Sequence, residues 1–253
     1  MSGHMTFVGL ENYIQMFTGD RIFNRAFWNT LIWVLLQATV HVALGTTVAI
    51  ILSKKPFGWK AVRSIYMFPN IISLSVLGIV YLNLFNARIG IVNVLIRMLP
   101  GMESFNQNWY FDNATAFGTV TFTWLVFAGL VTILVLAEIM GISPDIYEAA
   151  KIDGAGGFQI DRYITLPLLR NILGTSVILS ATSMLKEFEL IYLTTNGGPD
   201  IATMNLPLYI YKTSLIENNY GYANAVSTIT IIAGILIIVF ANRLFRMEQS
   251  DNA

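Results

Sequence analysis

The sequence predicts an all-α, polytopic membrane protein, and three observations predict it. Hydrophobic residues make up 55% of the 253-residue chain and charged residues only 12%, which leaves too little polar surface to coat a soluble globule. Five apolar stretches, 27–52, 64–85, 114–140, 168–185 and 222–242, come close to the roughly 20 residues that a helix needs to cross a hydrocarbon core. None of them alternates with period two, and a backbone buried in lipid must satisfy its own hydrogen bonds, so these stretches cross as helices. Composition also excludes whole classes of function. The 15 Lys and Arg balance the 15 Asp and Glu, so no basic excess draws the chain to nucleic acid. There is no cysteine, and the two histidines, His4 and His41, are too few for the usual metal sites. No metal or cofactor is expected.

Taken in order, residues 1–26 form an outer N-terminal segment. Its first five residues, Met1 to Met5 in the order Met-Ser-Gly-His-Met, resemble the scar of an expression tag. The transmembrane domain follows over 27–253. In the first stretch the lone His41 is expected to be a hydrogen-bonded packing residue. In the second, Pro69 makes the boundary uncertain, as Glu138 does at the end of the third. The connection after the first stretch carries Lys54, Lys55, Lys60 and Arg63 with no acid, which marks it as cytoplasmic. Alternation from there places nine Lys and Arg inside and five outside, with Lys186 at a span end. The polar segment 97–113 is then an outer loop whose Trp109 and Tyr110 are expected as interface anchors, and 194–220 is a second outer loop.

The connection 141–167 is unlike the others. Ser143-Pro144-Asp145 reads as a helix start, with Ser as N-cap, Pro at the first helical position and an acid in the first turn. A short helix over 144–152 should end at Gly154, which is free to take positive φ, and a second is expected over 158–164, with Pro167 just before the fourth span. A capped two-helix elbow on the cytoplasmic side suggests a docking surface.

Its residues carry a family pattern. Glu148-Ala149-Ala150, three residues, Gly154, nine residues, then Ile164-Thr165-Leu166-Pro167 resembles the EAA loop of the inner-membrane permease subunits of binding-protein-dependent ABC importers. Phe7 to Tyr13, Phe27-Trp28-Asn29-Thr30, Asp153-Gly154-Ala155, Gly197-Gly198-Pro199, Leu208 to Tyr211 and Gly221-Tyr222-Ala223 look like its carbohydrate-uptake branch. The resemblance implies the ABC importer permease fold, with six spans in an intact subunit and hence one upstream of the five here. It implies a bacterial or archaeal cytoplasmic (inner) membrane location. It also implies a second permease subunit, two cytoplasmic ATP-binding subunits, an extracytoplasmic sugar-binding protein and a sugar substrate. Glu148, Ala149, Ala150, Asp153, Gly154, Ile164, Leu166 and Pro167 would then couple the chain to the ATPase. That ATPase is a separate polypeptide, because no Gly-x-x-x-x-Gly-Lys-Ser/Thr occurs here to cradle phosphates.

For the substrate path the candidates are Glu187, Phe188, Glu189 and Tyr192. Carboxylates beside an aromatic suit a sugar, and ionisable groups at a span end are costly unless they face water or one another. The same stretch also fits a place in the outer interface, because 168–185 already supplies 18 residues. Asn83, Trp124 and Tyr81 are weaker candidates. Two rival functions make different demands. An ion-coupled secondary transporter acting without an ATPase calls for carboxylates at mid-membrane. A membrane enzyme calls for Asp, His, Ser or Glu converging at one interface, and two histidines on different segments give little to build with. Neither accounts for the elbow.

Overall fold

The computed structural model describes residues 7–245, which it folds as helices and connecting turns; the scar-like Met1 to Met5 lies outside them. The helices are α1 (Glu11–Thr18), α2 (Arg21–Ser53), α3 (Trp59–Asn70), α4 (Leu74–Leu84), α5 (Ile91–Arg97), α6 (Ala116–Leu125), α7 (Gly129–Gly141), α8 (Pro144–Ile152), α9 (Gly157–Leu168), α10 (Arg170–Met184), α11 (Glu189–Thr194), α12 (Leu206–Tyr211) and α13 (Tyr220–Phe245). Among the described residues, α2, the stretch Ala116–Gly141 and α13 are each long and apolar enough to cross a membrane, and two bent pairs raise the number to five.

The bends are where hydropathy misjudges the chain. Run 64–85 is not one helix: α3 and α4 meet at 103°. Pro69 sits in a tightened final turn over Phe68–Asn70, and its ring and missing N–H end the helix there. Run 168–185 likewise resolves into α10 followed by a break over 185–188 and then α11, with the whole bent by 70° from α9. The second elbow helix extends beyond its expected end, so that Pro167 lies inside α9 rather than ahead of the next span. A wide π-helical turn over Asp161–Thr165 precedes Pro167, and such a turn relaxes the i→i−4 ladder that a proline ring would otherwise clash with.

The chain divides into two compact units. One takes in the chain through Trp33 together with Gly78–Val120 and Leu185–Gly234; the other comprises Val34–Leu77, Thr121–Met184 and the chain from Ile235 on.

The second unit is built on the crossing of α2 with α7. Its core is Val42, Ala49, Leu52, Ala128, Val131, Val135, Leu136, Ile139 and Leu169. Gly45 and Ala49 lie one helical turn apart, the small-residue spacing that lets helices approach closely in lipid. A Cβ at Gly45 would stand 2.7 Å from Val131 Cβ, and Thr132 Oγ1 donates across the gap to the Gly45 carbonyl at 3.1 Å. Gly45→Val is therefore expected to cost about 1–3 kcal/mol by overpacking, read as a lower unfolding temperature in detergent, while Ala43→Val, on an exposed position of the same helix, leaves it unchanged.

The same unit contains an interrupted span. Between α6 and α7 the chain unwinds over 126–128, and in lipid the freed backbone groups need protein partners. His41 Nδ1 lies 3.0 Å from the Leu125 carbonyl. The Tyr66 hydroxyl donates to the Val126 carbonyl at 2.7 Å and accepts the Ala128 N–H at 3.2 Å. Asn70 Nδ2 donates to the Phe127 carbonyl at 3.2 Å. The lone histidine of the first span is thus the packing residue it was expected to be.

In the first unit, connection 194–220 is more than a loop, because it contains α12 and a π-helical turn over Lys212–Ile216. Buried Asn29 ties it to α2 by donating to the Ala202 and Met204 carbonyls at 2.9 and 2.8 Å. Thr30 Oγ1 accepts the Leu206 N–H at 3.0 Å. Segment 97–113 is largely exposed, but its two aromatics at 109 and 110 turn to partners in the protein. Tyr110 is buried rather than an interface anchor, with its ring edge-on to Phe85 at 5.8 Å. Trp109 Nε1 donates to Asn93 Oδ1 at 2.6 Å, so the indole N–H that would seek the interface is spent on a buried amide.

Candidate coupling site and substrate path

The elbow is built by capping chemistry. Ser143 Oγ accepts the Asp145 N–H at 3.3 Å, and Pro144 opens α8. At the other end the Ala155 N–H donates to the Ala150 carbonyl at 2.9 Å and the Gly154 N–H to the Lys151 carbonyl at 3.0 Å. This 6→1 and 5→2 pair is a Schellman motif, with Gly154 as its left-handed residue at φ +80°. The turn then reverses into α9, where Gln159 Oε1, three residues on, accepts the Gly156 N–H at 2.7 Å, one half of a capping box.

These bonds explain the spacing of the motif. Ala150 donates no side chain to the surface: it is buried beneath the turn, in the position whose carbonyl receives the closing bond. Glu148, Ala149 and Asp153 are exposed on α8 and its end. Leu166 and Pro167 are exposed on α9, where Ile164 is half-buried. Two large apolar side chains that the motif does not contain, Ile152 and Phe158, are 87% and 77% exposed. They flank the glycine turn and present an apolar tip that water would not otherwise leave uncovered.

Behind the elbow lies a cavity of about 630 Å³, walled by the end of α2, the end of α7, α8 and α9. Tyr147, Glu148 and Lys151 line it from α8. Across it, Lys54 Nζ meets Asp161 Oδ2 at 2.5 Å, which fastens α9 to the end of the first span. The lysine side chain is about half exposed, so the pair is worth about 0.5–1 kcal/mol. Lys54→Gln is expected to lower coupled transport only two- to fivefold, about the factor that energy allows, and the exchange Lys54→Asp with Asp161→Lys should restore it in a vesicle uptake assay.

The substrate-path candidates fall on the break between α10 and α11. Glu187 Oε1 accepts the Leu190 N–H at 3.1 Å at the start of α11, and the Glu187 carbonyl accepts a short bond from Asn205 Nδ2 at 2.5 Å. Phe188 stacks on Tyr192 at 5.1 Å, and Tyr211 of α12 lies 4.9 Å from Phe188 and 5.5 Å from Tyr192. Glu187, Phe188, Glu189 and Tyr192 are therefore together, around an unwound segment and a three-ring aromatic face. Sequence reading missed Tyr211 and Asn205. Asn83 is not part of this cluster: it is exposed on α4, donates to its own helix at Ile79 and lines a different cavity of about 480 Å³. Trp124 stands in the second unit, at the end of α6 beside the interrupted span. Tyr81 is buried on α4 and stacks on Phe85 at 6.4 Å.

A membrane-spanning helical chain that presents a capped two-helix elbow has the features of an importer permease. The family model for the inner membrane component of binding-protein-dependent transport systems matches residues 41–248, and the chain belongs to that family. It is thus a permease subunit of an ABC importer, a transport component rather than an enzyme. The probable ABC transporter permease protein YurN of Bacillus subtilis is 28% identical over 99% of this chain and 86% of its own length. The diacetylchitobiose uptake system permease protein NgcF of Streptomyces coelicolor is 31% identical over 96% of this chain and 71% of its own. Among solved structures, a bacterial ABC transporter that imports the acidic polysaccharide alginate has a chain that shares the fold, with a TM-score of 0.86 at 23% identity, covering 98% of this chain and 86% of that one.

Proposed function

We propose that this permease imports a sugar across the bacterial or archaeal cytoplasmic membrane. It pairs with a second permease subunit, receives its substrate from an extracytoplasmic binding protein and is driven by two cytoplasmic ATP-binding subunits. The observation that carries the reading is the elbow. A Schellman-closed, doubly capped turn that holds Glu148, Ala149, Ile152 and Phe158 at the surface has no structural need for an exposed apolar tip unless a partner covers it. In this reading the tip seats in the ATPase and Glu148 meets a basic or backbone donor there. The positive charge at Lys54, Lys55, Lys60 and Arg63 supports a cytoplasmic place for this side. Residues 27–253 act as the permease domain and 1–26 as its outer lead-in.

The sugar class rests on the aromatic face of Phe188, Tyr192 and Tyr211 beside Glu187 and Glu189, and on the named substrate of the Streptomyces relative. Unwound backbone and half-helix ends are where membrane transporters hold substrates, and the 185–188 break is such a place. Glu187, Phe188, Glu189 and Tyr192, all in the first unit, line the path. The test is uptake of labelled disaccharides into vesicles that contain the assembled transporter, with loaded binding protein outside and ATP inside. Phe188→Ala is expected to raise the KM for loaded binding protein or lower the maximal rate about tenfold, the scale of one lost aromatic contact, while basal ATP hydrolysis persists. Uptake unchanged by Phe188→Ala and Tyr192→Ala together would remove this cluster from the path.

A further inference from the structure

The first unit contains a separate cavity of about 760 Å³, between the end of α1, the start of α2 and the segment around Asp200. Its size falls in the range of small-molecule sites. Arg21, Asn24, Arg25 and Trp28 follow one another at i, i+3, i+4 and i+7, so α2 turns them onto one face, and all four line the cavity. Trp28 is 53% exposed, with its ring edge-on to Phe27 at 5.8 Å. Asn113 and Asp200 also line the cavity.

Charge decides what such a cavity suits. Its ionisable residues are two arginines and two aspartates, a formal sum of zero. Both carboxylates are engaged: Asp200 pairs with Arg21 at 3.1 Å, and Asp20 accepts from the Ile22 and Phe23 N–H groups and from two tyrosine hydroxyls. With Arg21 paired to Asp200, a multiply charged anion would find one remaining guanidinium, Arg25, offset by the Asp20 carboxylate, and so no net positive charge. A neutral polyol would find two exposed amides, a guanidinium and an indole. The wall is also held under strain. Asp200 and Ile201 both take positive φ, +38° and +60°, a conformation that a β-branched residue adopts only when its surroundings impose it and that collects at binding sites.

We propose that this cavity is a saccharide subsite, in which a neutral pyranose lies on Trp28 and its hydroxyls are held by Asn24, Arg25 and Asn113. It is distinct from the Phe188–Tyr192–Tyr211 cluster. The proposal rests on the sugar-importer reading, with the cavity at the entrance on the side of the binding protein.

The experiment uses the assembled transporter in phosphatidylcholine nanodiscs, without binding protein. It is titrated with maltose, cellobiose and diacetylchitobiose, with digalacturonate as the acidic counterpart, by saturation-transfer difference NMR. At least one neutral disaccharide is expected to bind, about tenfold more weakly in Trp28→Ala and in Asn24→Ala, the scale of a lost stacking or hydrogen-bonding contact, while Trp28→Phe retains binding and reports an intact fold. Three results would each overturn the proposal: no neutral disaccharide bound, binding indifferent to Trp28→Ala, or digalacturonate or added phosphatidylglycerol preferred at the Trp28-dependent site. Vesicle uptake of the same sugars separates the two readings. Binding-protein-dependent uptake by the wild type without a Trp28-dependent NMR signal removes only the subsite, whereas no uptake of any of these sugars counts against both.

Discussion

Glu148→Lys is expected to uncouple ATP hydrolysis from transport in the assembled importer. The carboxylate stands exposed on α8, one residue before an exposed alanine and four before the protruding Ile152. Among the described residues no hydrogen bond or ion pair engages it, so its replacement leaves the elbow standing. If it meets a donor in the ATPase, charge reversal removes a desolvated charge pair and adds a repulsion. Such truncations at interfaces cost about 2–5 kcal/mol, or at least about 30-fold in affinity. Gly154→Pro reaches the same end by another route. Proline cannot adopt φ +80° and has no N–H to close on the Lys151 carbonyl, so the Schellman turn opens and α8 loses its angle to α9. Gly154→Ala keeps the hydrogen bond and should cost only about 1 kcal/mol. Co-purification with the ATPase and transport-linked hydrolysis are the readouts. Normal stimulation in both Glu148→Lys and Gly154→Pro would deny the elbow its coupling role.

The largest effect on stability is expected at Asp20. Its Oδ1 accepts the Ile22 and Phe23 N–H groups, each at 2.8 Å, and caps the start of α2. Its Oδ2 accepts short bonds from Tyr209 of α12 and Tyr222 of α13. One carboxylate thus ties the start of α2 to two helices that lie about two hundred residues further along the chain. Burial, and then the hydrogen bond to Asp20 and its negative charge, raise the Tyr209 phenol well above its usual range, so it stays a proton donor at any physiological pH. Asp20→Asn keeps the size and can keep the cap, but an amide nitrogen cannot accept from the two phenols. Leaving such donors buried without an acceptor costs about 1–3 kcal/mol each before relaxation, so a fall of about 5–10 °C in unfolding temperature is expected. Tyr209→Phe and Tyr222→Phe should each cost less, and either should add little in the Asp20→Asn background, because the partners share one network. Additive losses would contradict the hub.

What could be read from the chain before its fold was known depended on how local each device is. The elbow was legible because caps and left-handed glycines act within four or five residues, so Ser143-Pro144-Asp145 and Gly154 announce themselves. Even there, the pattern did not distinguish exposed Ala149 from Ala150, buried under the turn, and it was silent on Ile152 and Phe158. The spans were legible as apolar mass but not as geometry. Hydropathy counts residues in a window, so it joined α3 to α4 across Pro69 and missed the unwinding at 126–128, which exists only because His41, Tyr66 and Asn70 supply distant partners. Tyr110 was misplaced for a related reason: an aromatic in a polar loop reads as an anchor until a ring from another element, Phe85, packs edge-on against it. The roles of Asp20, Asn29 and Tyr211 were not legible because their partners lie in other parts of the chain, where no periodicity points.

The central claim is that this chain is a path driven by a separate ATPase through the elbow. The most direct measurement is initial uptake of a labelled disaccharide into vesicles that carry the assembled transporter, with and without internal ATP and with an imposed proton or sodium gradient in its place. The account predicts uptake that requires ATP and loaded binding protein, is lost in Glu148→Lys and is indifferent to the ion gradient. Uptake driven by the gradient alone, and untouched by Glu148→Lys, would contradict it.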